Sequence, residues 1–130
     1  MKKIIAMMLA AVLLLTMALV FAEDAYYSKT LSGGIKNKQQ TRYVTKDVSG
    51  AAQNDVTYLS RTLTKDDPVV TKVRRGSDGD PVTSAKNVTA TTTYSMAYGK
   101  NKGKLNKQYY MKMQNTTGSP DVGIKGTFTP

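Results

Sequence analysis

The residues of this chain whose type and spacing could do chemistry are mainly cationic. One cluster consists of Lys100, Lys102, Lys104 and Lys107, with Gly103 among them. A flexible turn would let several of these ammonium groups face the same partner, and closely spaced cations attract polyanions. The alternative interpretation is an ordinary solvated turn. The cluster is the leading candidate in the sequence for a polyanion-binding site.

A second basic cluster contains Lys72, Arg74 and Arg75. A guanidinium group can hold a phosphate or a carboxylate through two parallel hydrogen bonds, which an ammonium group cannot do. The cluster is therefore a further candidate for polyanion binding. The alternative, which the pattern favours, is an edge strand whose charges prevent aggregation.

Acid–base and metal chemistry have few candidate residues. The chain contains no His and no Cys, which removes imidazole bases, thiolate nucleophiles and the usual zinc ligands. Glu23 is its only Glu, so a hydrolase would depend on Asp residues. Asp78-Gly79-Asp80 lacks the further oxygen ligands and the closing Glu of a calcium loop, so a turn is favoured there. We expect no enzymatic activity, no metal and no cofactor.

Two tyrosine pairs could offer rings for stacking on sugars or bases. Tyr26-Tyr27 and Tyr109-Tyr110 each place one ring on either face of a strand, so one ring of each pair could be exposed. The favoured interpretation is that tyrosine fills the core of a chain that is poor in Leu and Phe.

The basic clusters must be positioned by the elements on either side of them. Residues 88–98 alternate with a period of two, which predicts a half-buried strand with Tyr94 and Met96 near the centre of its buried face. Residues 105–113 resume the alternation. The two segments predict a β-hairpin with the lysine cluster at its tip, and residues 122–128 predict a third strand of the same antiparallel meander.

The first half of the chain shows the same kind of pattern. Candidate strands cover residues 25–31, 41–48, 55–63 and 69–74, with a short further one at 82–86, and turn signals rich in Gly, Asp and Pro separate them. Residues 50–54 could form a helix, but one too short to matter. The sequence predicts an all-β fold, a small antiparallel β-sandwich of seven or eight strands.

Residues 1–22 have the pattern of a signal peptide. Lys2 and Lys3 precede a long apolar run, and Val20-Phe21-Ala22 places small or medium residues at the −3 and −1 positions of a cleavage site. We expect cleavage after Ala22 and a secreted, extracellular protein, with a leader of bacterial type. The alternative is an uncleaved anchor, because the run approaches the roughly 20 apolar residues that span a bilayer.

The remaining residues, 23–130, have the size of a single domain. Their 108 residues carry 17 basic and 9 acidic side chains, a net charge of +8. Such an excess attracts polyanions, although it could also serve only solubility. Leu, Ile, Val and Phe together number 16 of these 108 residues, a low share that leaves a disordered chain as an alternative. Eight tyrosines and many threonines favour an ordered β domain.

Together these features predict a secreted, non-enzymatic β-sandwich module that binds a polyanion. The expected partner is an anionic cell-wall polymer, an acidic polysaccharide or an anionic membrane surface, with no specific nucleic acid. One alternative is a small cationic, bacteriocin-like toxin that acts on the envelope of another cell. Another is an assembly protein whose edge strands pair with other chains. The sequence leaves the oligomeric state open.

Overall fold

The computed structural model describes residues 23–34 and 37–130, and in these residues it contains nine β-strands and no helix. The predicted leader, residues 1–22, lies outside the described residues. The strands are β1 (Ala25–Leu31), β2 (Gln39–Gln40), β3 (Val44–Thr45), β4 (Ala52–Leu59), β5 (Val69–Arg75), β6 (Lys86–Val88), β7 (Thr93–Met96), β8 (Gln108–Asn115) and β9 (Val122–Thr129).

The strands form two antiparallel sheets. The four-stranded sheet has the order β1-β9-β4-β7, and the five-stranded sheet has the order β2-β8-β5-β6, with β3 also pairing with β8. The prediction of an all-β, antiparallel chain is confirmed, and the arrangement is consistent with a β-sandwich. Within the predicted strand at 41–48, only Val44–Thr45 (β3) is a strand. The short strand β2 precedes that range, and both pair with β8, at different parts of it.

Alternate residues of the long strands face a common core. In β9 the buried side comprises Val122, Ile124, Gly126 and Phe128, as the sequence predicts, and in β5 it includes Val69 and Val73. The core also contains Tyr27, Tyr109, Met111 and Met113. Tyrosine and methionine therefore occupy interior positions in this fold, where Leu and Phe are scarce.

The predicted strand at 88–98 is wrong, because the chain changes sheets in its middle. Val88 ends β6 in the five-stranded sheet, and β7 begins at Thr93 in the four-stranded sheet. The hydroxyl of Tyr94 closes the corner between them, since it accepts hydrogen bonds from the backbone N–H groups of Thr89 and Ala90, both at 3.0 Å. Met96 is buried and Tyr94 half-buried, but Ala90 is exposed.

The predicted hairpin and meander are wrong for the same reason. Strand β7 pairs with β4, whereas β8 pairs with β5, so the segment between them crosses from one sheet to the other. Strand β9 returns to the four-stranded sheet, between β1 and β4. The lysine cluster thus lies on an inter-sheet loop and not at a hairpin tip.

Two of the other predicted strands match the observed ones, and two do not. The predictions at 25–31 and 69–74 match β1 and β5. The strand predicted at 55–63 begins earlier, at Ala52, because the segment considered as a short helix is extended and pairs with β7. The strand predicted at 82–86 is replaced by single bridges at Pro81 and Thr83, followed by β6.

Candidate anion-binding cleft

The loop at residues 97–107 is held by two tyrosines. The hydroxyl of Tyr109 accepts a hydrogen bond from the backbone N–H of Lys104 at 2.9 Å and donates to the carbonyl of Lys102 at 2.9 Å. The Tyr109 ring packs against Tyr98, with 5.4 Å between ring centroids. Asn101 has φ 60°, a left-handed conformation that Asn tolerates. These contacts fix the loop backbone that carries the lysines.

Glycine at position 103 is required by a close approach. A Cβ atom there would lie 2.5 Å from the ring of Tyr98, closer than any real carbon contact. The loop can therefore pass over the Tyr98 ring only because Gly103 has no side chain. Lys102 and Lys104 are the chain neighbours of Gly103, so its contact with the Tyr98 ring also restricts the backbone that carries these two lysines.

The loop forms one wall of an open cleft of about 250 Å³. Lys102, Lys104 and Lys107 line this wall, and Arg75 reaches the cleft from the end of β5. The remaining lining residues are Ser77, Asn101 and Tyr109. No carboxylate lines the described part of the cleft, so its charged groups are all positive.

Two of these cations have protein partners. Lys102 Nζ donates to the carbonyl of Pro81 at 3.3 Å, and Arg75 Nη1 lies 2.7 Å from a carboxylate oxygen of Asp78. The backbone N–H of Asp80, which donates to Asp78 at 3.0 Å, lowers the pKa of the Asp78 carboxyl, and Arg75 lowers it further. The segment 78–80 is thus a turn, as predicted, and its carboxylate orients Arg75.

The structure places six of the seven predicted polyanion-binding residues on two surfaces. Lys102, Lys104, Lys107 and Arg75 line the cleft, whereas Lys100 is exposed in the adjoining turn and does not line it. Lys72 and Arg74 lie on the outer face of the five-stranded sheet instead. The two sequence clusters therefore meet in the cleft through Arg75.

Sequence reasoning missed two cations beside Lys72. Lys112 lies directly opposite Lys72 in the pairing of β8 with β5, and Lys38 lines the same shallow depression. The alternation of β8 around Lys112 was the available signal for its outward position, but its partner strand could not be identified from the sequence.

The tyrosine pairs behave differently from each other. Tyr26 is 68% exposed and Tyr27 is buried, as the alternation predicts. Tyr109 and Tyr110 are both buried, because Tyr110 packs against Tyr43 on the outer face with 5.0 Å between ring centroids. The second pair therefore offers no exposed ring, in agreement with the favoured interpretation that these tyrosines are buried.

Lys46 is buried, although the sequence gives it the appearance of an ordinary surface lysine. Its side chain is 1% exposed, and Nζ donates to the carbonyl oxygens of Gly50 and Pro130 at 3.0 and 3.1 Å. The ammonium group also lies 4.8 Å from the centre of the Tyr98 ring. Burial lowers the pKa of Lys46, and nearby Asp47 partly opposes that shift. Lys46 belongs to the structural support behind the loop and not to its binding surface.

Comparison with protein-family models, curated proteins and solved structures finds no match to this chain. Within the residues that the structure describes, no helix is long and apolar enough to cross a membrane. The same residues contain no group of three or more acidic side chains placed to hold a metal ion.

Proposed function

We propose that this chain is a secreted, non-enzymatic β-sandwich module that binds an anionic polymer outside the cell. The partner class comprises anionic wall polymers, acidic polysaccharides and anionic membrane surfaces. The observation that carries the proposal is the convergence of Lys102, Lys104, Lys107 and Arg75 on one cleft without a lining carboxylate.

Clustering matters more than net charge for such binding. At 0.1 M salt, charges separated by more than about 10 Å are largely screened from each other. Cations that line one cleft act on the same anionic group, whereas lysines dispersed over the surface do not. The loop also holds its backbone in one conformation before a ligand arrives, which lowers the entropy lost on binding.

The proposal includes export of the domain. It rests on the leader pattern of residues 1–22, with cleavage after Ala22. Sequencing the N-terminus of protein recovered from the culture medium tests this part, and the expected first residue is Glu23. Protein that keeps residues 1–22 in the membrane fraction would support the anchor instead.

The binding site is tested by replacing Lys102, Lys104 and Lys107 with Ser. The affinity for dextran sulfate, measured by calorimetry at low salt, should fall by about tenfold or more, since each lost contact also removes released counterions. The salt dependence of the affinity should flatten in parallel. Circular dichroism should be unchanged, because the three side chains lie at the surface.

A matched control replaces Lys29, Lys65 and Lys125 with Ser. This variant removes the same charge from positions outside the cleft. Its affinity should change by no more than about threefold, the effect expected of diffuse attraction alone. If both triple variants lose the same affinity, the binding depends on net charge and not on the cleft. If neither loses affinity, the proposal of polyanion binding is wrong.

A further inference from the structure

Two lysines lie directly opposite each other on the outer face of the five-stranded sheet. In the antiparallel pairing of β5 and β8, Lys72 is the register partner of Lys112. Directly opposed residues have Cβ atoms about 5 Å apart, and like charges in that position destabilise a sheet. The pairing therefore starts two like-charged side chains from adjacent points of the sheet, at a cost to the free protein.

The cations around this pair increase the concentration of charge. Arg74 follows Lys72 by two residues on the same face, and Lys38 lies beside Lys112 in the shallow depression that these residues share. The other lining residues are Val70, Met113 and Gln114, so no carboxylate borders it. Among the described residues, none of these four cations forms an ion pair within 4.0 Å.

The guanidinium group of Arg74 is held by one hydrogen bond, but one of its donors has no partner. Its Nη1 donates to the carbonyl of Gly79 at 2.8 Å, which fixes the guanidinium group against the turn after β5. Its Nε is buried and has no hydrogen-bond partner. A buried donor without a partner is costly, which adds to the cost of the unpaired cations on this face.

We infer that Lys38, Lys72, Arg74 and Lys112 form a second anion site, and that one linear polyanion occupies this site and the cleft together. The inference deepens the proposed function and rests on it, because the cleft supplies the other half of the contact. The common ligand chemistry is a chain of repeated phosphate or sulfate groups.

The strand β5 connects the two sites. Lys72 and Arg75 are three residues apart, about 10 Å along the strand direction at 3.4 Å per residue, but successive side chains leave a strand on opposite faces, so the polymer must pass around the end of β5 to reach both sites. This distance is similar to the screening length at 0.1 M salt, so a small anion at one site has little effect on the other. A polymer long enough to reach both sites should bind at least about 100-fold more tightly than an anion that reaches only one.

The test compares tripolyphosphate with long-chain polyphosphate, using the whole mature chain in calorimetry. The outer-face variant carries Lys72→Gln and Lys112→Gln. It should lose at least about tenfold of its affinity for long-chain polyphosphate, because bridging is lost. Its affinity for tripolyphosphate should change by less than about threefold, since the cleft still binds the short anion.

The control carries Lys29→Gln and Lys125→Gln on the four-stranded sheet. It should still bind long-chain polyphosphate more tightly than tripolyphosphate, by the same ratio as the unchanged protein, and this ratio is the long-chain advantage. If the outer-face variant also keeps that advantage, the second site is wrong. A long-chain advantage that both double variants lose equally would also contradict it. Binding to anionic phospholipid vesicles without binding to long-chain polyphosphate would overturn the choice of a linear polymer. The cleft proposal fails separately, if the triple Ser variant of the loop binds tripolyphosphate as tightly as the unchanged chain.

Discussion

Lys46 shows that residue type alone does not separate binding cations from structural ones. Its ammonium group is enclosed by two backbone carbonyls and the ring of Tyr98, and it is the neighbour of Asp47 in the sequence. A buried charge without a carboxylate partner is expensive, so these polar and π contacts must offset much of its desolvation. The sequence around it offers no sign of burial, because two of the three groups that enclose Lys46, Tyr98 and Pro130, are distant in the chain.

Truncation of this side chain should destabilise the domain. In Lys46→Ala the buried oxygen of Pro130 loses its donor, at about 1–3 kcal/mol, and the aliphatic stem leaves a cavity. The carbonyl of Gly50 also loses its donor, but it is only partly buried. Lys46→Met keeps the stem volume and should cost less than Lys46→Ala. Denaturant unfolding measures both. A free energy of unfolding unchanged in Lys46→Ala would mean that the side chain is solvated.

At the scale of elements, the loop at 97–107 depends on one close contact between Gly103 and Tyr98. In Gly103→Ala the new methyl group would overlap the Tyr98 ring, so the loop must move. We expect a loss of about 1–3 kcal/mol in stability, typical of overpacking, together with weaker binding of anionic polymer.

Gly99→Ala provides the comparison within the same loop. A Cβ atom at Gly99 would lie 3.1 Å from Cδ of Lys102, the flexible part of an exposed side chain. This substitution should cost less than Gly103→Ala in both stability and affinity. Equal effects in thermal unfolding and in calorimetry would show that the loop does not rely on the Tyr98 contact.

Strands were predictable where one face of a single strand stays buried along its length. Strand β9 alternates between core and surface from Val122 to Phe128, and both ends of β1 were located from the same pattern. The pattern failed at 88–98, because alternation continues through a corner at which the partner strand changes. A period of two reports which side chains share a face, and it carries no information about which sheet receives them.

The residues of the candidate site could be predicted from the sequence, but which of them the fold brings together could not. Local sequence identifies the loop lysines and the Lys72–Arg75 cluster, because the cations of each are close along the chain. Their meeting through Arg75 depends on β5 and β8 being neighbours, a long-range pairing. Lys112 was missed because its significance comes from the lysine opposite it and not from its own neighbours.

At the scale of the whole molecule, the two sheets present different outer faces. The outer face of the five-stranded sheet carries Lys72, Arg74 and Lys112, whereas that of the four-stranded sheet combines Lys125 and Asp55 with hydroxyl side chains. The cations of the outer face and of the cleft are therefore distributed asymmetrically over the domain. An asymmetric field of this kind orients an approaching polyanion as well as attracting it.

NMR chemical-shift mapping with tripolyphosphate shows directly whether the cleft beside residues 97–107 receives the anion. At low salt, we expect the largest amide shifts in the loop and at Arg75 and Ser77. Smaller shifts should follow on the outer face of the five-stranded sheet. Amides of β1 and β7, in the other sheet, should stay unchanged. Shifts spread evenly over both sheets, or centred on the four-stranded sheet, would show that the cleft is not the anion site.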